Sequence, residues 1–268
     1  MAHISDIKLI RTDTTLDLSQ KAEKDISLLV EKIDDPSMAD DKGLLDDACS
    51  DAGFFPLVER IDDPAMTTAK VCWTSSGQIA PREGIRVGEN VTKGKPDMHE
   101  AIDCYSPIEP GRLNYPSNFD VLLENYINLL GDLSRKIMKG VALALGAPLA
   151  AFEGFLTLVN QDDDICALEV RNQSGEWIYA KPVPGTFICN IGDMLKVWSN
   201  GIYQPTLHRV VNNSPRYRVS VAFFYESNFD AAVEPVEFCR EKTGGVAKYE
   251  KVVYGEHLVQ KVLTNFVM

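Results

Sequence analysis

The chain has 268 residues, 45% of them hydrophobic and 25% charged, which is enough apolar material for one sizeable core. Its 39 acidic and 27 basic residues give a formal net charge of -12, an excess that repels a phosphate backbone and an anionic membrane surface. These numbers argue against nucleic acid or a membrane as a partner, and they leave the oligomeric state open.

Cysteine spacing and the N-terminus predict the cellular compartment. The six cysteines are scattered, with no CxxC pair for zinc and no tight spacing typical of a disulfide framework. The first residues lack the basic region and apolar stretch of a secretory signal, and no uncharged apolar run reaches membrane-spanning length. We therefore expect a protein of the cytoplasm.

Local patterns are weak in the N-terminal part of the chain. Residues 18–32 have apolar side chains at helical spacing, 44–49 could form a short helix, and 53–58 have the aromatic and branched content of a strand. A segment at 29–38 recurs nearly unchanged at 57–66, and both copies contain Asp-Asp-Pro. Adjacent carboxylates before a proline are more typical of a solvated turn than of a cation site, so we assign them no chemistry.

The strongest helical signal covers residues 117–146. Ser117 or Asn118 can cap this helix, and Gly146 and Pro148 end it. Its apolar side chains recur at helical spacing and form one stripe. They are Phe119, Leu122, Leu123, Tyr126, Ile127, Leu130, Leu133, Ile137 and Val141.

Beyond Gly154 the pattern changes to short β-rich segments separated by turn residues such as those at 172–175 and 212–215. The predicted strands are 155–160, 165–170, 176–179, 187–190, 194–198, 207–211 and 217–225. A helical region followed by many short strands predicts an α+β fold with a jelly-roll (double-stranded β-helix) core and N-terminal helices packed outside it. A C-terminal helix is expected at about 253–263.

The segment 206–221 carries the most chemistry. We interpret it as two antiparallel strands around a turn at 212–215, and period-two alternation places Arg218 and Ser220 on one face. An imidazole and a guanidinium on an inward face are costly to bury unless a metal binds the histidine and a carboxylate binds the arginine. The alternative is a strand histidine satisfied by a backbone group beside a surface arginine.

The order of three motifs resembles a known family. Gly192-Asp-Met-Leu-Lys-Val-Trp-Ser-Asn-Gly201 is followed by His208-Arg-Val-Val211 and then by Arg218-Val-Ser220. This series is similar to the C-terminal half of the 2-oxoglutarate/iron(II)-dependent dioxygenases, and it is closest to the plant members that resemble isopenicillin N synthase. The likeness extends upstream to residues 88–103 and downstream to the end of the chain.

The resemblance implies a function and a set of site residues. His208 is the distal histidine of the two-His-one-carboxylate triad that holds Fe(II), and Arg218 and Ser220 grip the distal carboxylate of 2-oxoglutarate. The implied reaction is oxidative decarboxylation of 2-oxoglutarate coupled to hydroxylation or desaturation of a small organic substrate. The identity of that substrate does not follow from the motifs.

One part of the family pattern is missing. Family members carry a His-x-Asp pair, which supplies the other two iron ligands, just before a strand like Phe155-Leu-Thr-Leu-Val159. Here Phe152-Glu-Gly154 precedes that strand directly, so a block of several dozen residues is expected to be absent and the jelly roll to be incomplete. As replacements for the lost ligands, Asp162, Asp163, Asp164 and His99 are weak candidates because of their positions.

The domain interpretation follows these motifs. Residues 1–116 form an N-terminal helical and irregular region, 117–151 a long supporting helix, 152–235 a partial dioxygenase jelly roll, and 236–268 a C-terminal extension.

Two alternatives to an active dioxygenase stay open at this point. The first is a catalytically impaired remnant that keeps only the 2-oxoglutarate clamp and one iron ligand. The second is an unrelated β-sandwich binding module, for which Trp177 and Trp198 would be the contact aromatics.

Overall fold

The computed structural model describes residues 7–9, 46, 49–50, 54–59, 88, 91–92, 94–98, 119–147, 154–172 and 174–265. The predicted helix at 18–32 and the first copy of the repeated segment lie outside these residues. The chain divides into two compact units. The first consists of Met1–Asp62, Leu130–Ser227 and Val233–Lys251, and the second of Asp63–Leu129, Asn228–Ala232 and Val252–Met268.

The described helices are α1 (Phe119–Leu145), α2 (Asp193–Trp198), α3 (Glu237–Lys242) and α4 (Tyr254–Asn265). The described strands are β1 (Ile7–Leu9), β2 (Phe54–Glu59), β3 (Val91–Thr92), β4 (Lys95–Pro96), β5 (Leu156–Gln161), β6 (Leu168–Arg171), β7 (Trp177–Tyr179), β8 (Thr186–Ile191), β9 (His208–Val210), β10 (Ser220–Tyr225), β11 (Ala232–Val233) and β12 (Val252–Val253).

Helix α1 confirms the prediction for residues 117–146. In the first unit its apolar stripe is fully buried at Leu130, Leu133 and Val141, as the helical spacing requires. The helix ends where Gly146 donates its backbone N–H to the carbonyl of Leu143. Helix α4 likewise confirms the helix predicted at 253–263.

Two antiparallel sheets form the β-structure of the first unit. The larger has the strand order β1-β2-β8-β5-β10, and the smaller has the order β7-β6-β9. Six of the seven segments predicted as strands after Gly154 contain a strand, and β2 confirms the strand predicted at 53–58. Side chains of both sheets enclose one apolar cluster, formed by Val159, Leu168, Val170, Ile178, Ala180 and Ile188. We call the sheet surfaces that carry this cluster the inner faces.

The strand predicted at 194–198 is wrong, because these residues form helix α2. Met194, Leu195 and Val197 are all buried, and burial at adjacent positions as well as at i and i+3 fits one turn and a half of helix. Asp193 in the first turn and Lys196 in the last turn complement the helix dipole. An apolar run of this length does not distinguish a helix from a strand.

The predicted pairing of the two strands around the turn at 212–215 is also wrong. Strand β9 pairs with β6, and β10 pairs with β5 in the other sheet. The connection is shaped by side chains: Asn212 donates to the Arg216 carbonyl, and Asp164 accepts from Arg216 Nη1 at 2.8 Å. The chain therefore crosses from one sheet to the other here, as jelly-roll strands do.

The second unit contains a short hairpin and a terminal helix. Strands β3 and β4 pair antiparallel with Val91 opposite Pro96, and Gly88 donates its backbone N–H to the carbonyl of Asp97. Within the residues that the structure describes, no helix is long and apolar enough to cross a membrane.

Candidate functional site

Strand register places Ser220 on an inner face. Ser220 lies opposite Gln161 in the β10–β5 pair, and two residues further along, Ala222 lies opposite Val159. Val159 belongs to the apolar cluster between the sheets. Because side chains alternate along a strand, Ser220 and Gln161 share the face of Val159.

His208 lies on the inner face of the other sheet. It is opposite Val170 in the β9–β6 pair, and Val170 is a member of the same apolar cluster. Cross-strand partners in an antiparallel pair project from the same face, so the imidazole shares the side of Val170. The His208 side chain is nevertheless exposed to solvent.

The tautomer of His208 follows from its contact with the backbone. Its Nδ1 lies 3.0 Å from the carbonyl oxygen of Thr206, and a carbonyl oxygen can only accept a hydrogen bond. Nδ1 therefore carries the proton in the neutral ring, and the lone pair lies on Nε2. A backbone acceptor of this kind commonly orients a histidine that binds a metal.

Arg218 is held by both terminal nitrogens of its guanidinium. Nη1 donates to Ser220 Oγ at 3.0 Å, and Nη2 donates to Gln161 Oε1 at 3.0 Å. Its Nε is buried and has no hydrogen-bond partner. Burial lowers the pKa of Arg218, and the nearby Asp162 and Cys166 partly oppose that effect.

Two of the weak candidates for replacement iron ligands have other contacts. Asp162 Oδ2 accepts the backbone N–H of Val219 at 2.7 Å and so fixes the chain next to Arg218. Asp164 forms an ion pair with Arg216, and both side chains are exposed. These bonds orient the segment that delivers Arg218, whereas His99 lies outside the described residues.

The structure thus joins Arg218 to Ser220 and places His208 on the facing sheet. It also adds Gln161, which lies one residue beyond the strand predicted at 155–160. The signal was present in the alternation of Thr157, Val159 and Gln161, which continues the inward series by one residue. A polar residue at the buried end of such a series needs a partner, and here the partner is Arg218.

The residues present suit 2-oxoglutarate better than iron. The buried Nε of Arg218 and its fork of N–H donors match a carboxylate, which accepts several charge-assisted hydrogen bonds. Within the described ranges no group of three His, Cys, Asp or Glu side chains could hold a metal ion. These residues offer His208 as a single candidate ligand, which does not make a complete iron site, so we derive no step through the metal.

The backbone is strained where strand β5 begins. Gly154 has a φ of +97°, and the bulky Phe155 that follows it has a φ of +74°. A Cβ on Gly154 would meet the backbone nitrogen of Ser227 at 2.5 Å. A phenylalanine in the left-handed region is a true outlier, and such conformations cost about 1–3 kcal/mol each.

Both tryptophans that could have served a binding module contact other side chains of the fold. The guanidinium of Arg209 lies 4.2 Å from the centre of the Trp177 ring, and Arg209 Nε also bonds to Glu169 at 2.5 Å. Trp198 packs edge to face against Phe155 with ring centres 4.9 Å apart. These contacts are structural, as expected for rings that pack on or within a sheet.

Comparison with known proteins gives consistent matches. The family model described as the 2OG-Fe(II) oxygenase superfamily matches residues 121–227. The Oryza sativa subsp. japonica protein named "Homoarginine-6-hydroxylase 2-ODD-233" is 62% identical over 317 residues, which cover 91% of this chain and 97% of the rice protein. A Glycine max protein, "Homoarginine-6-hydroxylase 2-ODD-C23", is 44% identical and is covered to 96%.

Solved structures share the fold. The crystal structure of JOX2 in complex with 2OG, Fe and JA matches with a TM-score of 0.73 and 23% identity, covering 92% of this chain and 94% of that one. This likeness confirms the predicted jelly-roll class. Relatives named as hydroxylases favour an enzyme over an impaired remnant, and they rule out an unrelated binding module. The chain belongs to the 2OG-Fe(II) oxygenase superfamily, the oxidoreductases that use 2-oxoglutarate and Fe(II) to oxidise small molecules.

Proposed function

We propose that Arg218 and Ser220 bind the distal carboxylate of 2-oxoglutarate and that His208 is a ligand of Fe(II). The observation that carries this proposal is the guanidinium of Arg218, which is tied to two neighbouring strands while its buried Nε has no partner. A half-buried arginine whose N–H donors are not all engaged is stabilised by an anion that accepts hydrogen bonds from them.

The contribution of each residue follows from its chemistry. When bound, iron would activate dioxygen, which is the oxidant of the family's reaction, and 2-oxoglutarate would supply two of the electrons that reduce it. Arg218 provides charge and a planar fork that fixes the orientation of the carboxylate, and the Ser220 hydroxyl adds one rotatable donor. Burial lowers the pKa of Arg218, but a guanidinium remains protonated in proteins, so the positive charge persists at neutral pH.

The substrate that we propose is a basic amino acid related to homoarginine. Support comes from the 62% identity with the rice protein of that name, and the net charge of -12 favours the approach of a cationic substrate. The test is succinate formation with and without homoarginine. Stimulation is expected with homoarginine and not with a neutral amino acid such as norleucine, and equal rates with both would contradict the assignment.

We further propose that a segment carrying His-x-Asp is missing just before β5. The alignment with the rice protein spans 317 residues, more than the 268 of this chain, so part of the relative has no counterpart here. The strain at Gly154 and Phe155 lies at the same place. The genomic sequence across the Glu153–Phe155 junction tests this: an intervening stretch that encodes His-x-Asp is expected, and continuous coding without one would refute it.

Iron titration in the presence of 2-oxoglutarate tests the function itself. A complete triad gives a metal-to-ligand charge-transfer band, whereas a single histidine gives weak binding. We expect weak succinate formation that needs a high Fe(II) concentration and that is lost in His208→Ala and in Arg218→Met. Succinate formation that survives both substitutions would refute the assigned roles.

The remaining partner and compartment assignments are proposals as well. We propose a cytoplasmic protein that does not bind nucleic acid, on the basis of the net charge and of the thiols of Cys49, Cys189 and Cys239, which form no disulfide. Fractionation of plant cells with an antibody to the chain checks the location. The oligomeric state is open to measurement by light scattering.

A further inference from the structure

Gln161 is a buried polar side chain that the proposed roles do not use. It is only 4% exposed, and it lies directly opposite Ser220 in the β10–β5 register. Its Oε1 accepts from Arg218 Nη2 at 3.0 Å, and its Nε2 donates to the carbonyl of Ala180 at 3.5 Å. The arginine can only donate, so it fixes which end of the amide faces it.

The two residues that hold Arg218 are both electrically neutral. Ser220 and Gln161 engage one terminal nitrogen each, and together they fix the plane of the guanidinium between two adjacent strands. An acidic residue in the place of Gln161 would form the same hydrogen bond but would also cancel the positive charge. The neutral pair therefore orients the cation without forming an ion pair with it, and the nearby carboxylate of Asp162 accepts the backbone N–H of Val219 instead.

We infer that Gln161 is a positioning residue that orients Arg218 toward the distal carboxylate of 2-oxoglutarate while preserving its charge. This inference rests on the proposed function of Arg218. It assigns to Gln161 an effect on co-substrate affinity that acts only through the arginine. The chain supplies a matched control in Gln204, an exposed glutamine whose Nε2 donates to the carbonyl of Gly201.

The experiment compares Gln161→Glu, Gln161→Ala and Gln204→Glu in the full chain. Affinity is measured by isothermal titration with 2-oxoglutarate and with glutarate, which keeps both carboxylates but lacks the keto group that chelates a metal. For Gln161→Glu we expect affinity for both ligands to fall about tenfold or more, because the new carboxylate competes for Arg218. For Gln161→Ala we expect a loss of about threefold to tenfold, because the arginine keeps its charge but loses one anchor.

Thermal unfolding distinguishes positioning from a merely structural role. Gln161→Glu is isosteric and gains an ion pair with the arginine, which offsets the long bond to the Ala180 carbonyl that it loses. Its melting temperature is therefore expected to stay close to that of the wild type while its affinity falls. Gln204→Glu is expected to change neither quantity. Unchanged affinity in both Gln161 variants, or a loss that merely parallels a lower melting temperature, would overturn the inference.

The wild-type chain and Arg218→Met separate this inference from the proposed function. If the wild type binds glutarate and Arg218→Met does not, the clamp stands, and the Gln161 variants then decide the present inference alone. If the wild type fails to bind either dicarboxylate, or if Arg218→Met binds as well as the wild type, the proposed function fails and the role of Gln161 falls with it.

Discussion

The proposed carboxylate-binding half of the site and the proposed metal-binding half are built differently. Arg218 is partly buried and tied to Ser220 and Gln161 on neighbouring strands, whereas His208 is an exposed side chain on a strand of the other sheet. The first half draws its residues from β5 and β10 and from the chain just before β10. The second depends on ligands that the family takes from the chain before β5.

If the proposed loss of a segment before β5 is correct, this difference explains how one half of the site could be weakened while the other is kept. Residues from two paired strands orient a carboxylate without help from elsewhere, because strand register alone brings them together. A metal site requires several ligands at fixed distances, and these come from separate segments. Removal of one segment would therefore leave the clamp intact and weaken the hold on iron.

The largest expected effect on ligand binding is that of replacing Arg218, and its absence would contradict the comparison of the two halves. Replacement of Arg218 by Met is expected to weaken glutarate binding by about 30-fold or more, the equivalent of at least about 2 kcal/mol. Isothermal titration provides the measurement. The control is Arg135→Met, which removes an exposed ion pair with Asp132 on helix α1 and is expected to change affinity by less than about twofold.

Replacement of Gly154 and of Gly185 by alanine tests whether the backbone is strained at the start of β5. Gly185 has a φ of +75°, and a Cβ added there would have no atom within 4 Å, so Gly185→Ala is expected to cost about 1–2 kcal/mol of unfolding free energy through strain alone. Gly154→Ala adds a collision with backbone and is expected to cost at least about 2 kcal/mol more. Urea unfolding measures both, and equal costs would mean that the junction is relaxed.

Restoring the His-x-Asp segment tests whether the proposed metal-binding half of the site depends on the chain before β5. Insertion before Phe155 of the rice relative's His-x-Asp segment is expected to lower the Fe(II) concentration for half-maximal succinate formation by at least about tenfold. The same segment with both ligands replaced by alanine is the control. An equal effect of the two insertions would show that the segment acts through folding and not through the ligands.

The smallest effects on stability and on glutarate affinity are expected for replacement of His208. His208→Ala is expected to change the free energy of unfolding by less than about 0.5 kcal/mol, because the side chain is exposed. Glutarate affinity should stay within about twofold of the wild type, as measured by titration. A loss of glutarate binding comparable with that of Arg218→Met would show that the two halves are not independent.

The sequence predicted the parts of the fold that depend on local patterns. The long apolar stripe of α1 and the alternation along β5 and β10 were sufficient to predict these elements, since the periods of helices and strands can be recognised from neighbouring residues. The choice of partner for β9 was not predictable, because it depends on contacts from Asp162 and Asp164 to the connection before β10. The helix at Met194 was missed because a short apolar run fits either structure.

The site was likewise predictable only where it depends on local sequence patterns. Arg218 and Ser220 were found from their spacing, and their hydrogen bond is present. The alternation along β5 indicates that Gln161 faces inward, but its bond to Arg218 also depends on the register between β5 and β10, which no local pattern contains. The roles of His208, Arg218 and Ser220 toward iron and 2-oxoglutarate remain predictions for the experiments above.

The positive φ of Phe155 bears on when the proposed segment before β5 was lost. Aromatic residues suit extended backbone, whereas a turn that needs a positive φ normally carries Gly or Asn. A phenylalanine at φ +74° is therefore a strand residue placed in a turn. If an excised segment once preceded it, the excision is younger than the residue, and a lineage that kept the shortened chain for long would be expected to show Gly or Asn at position 155.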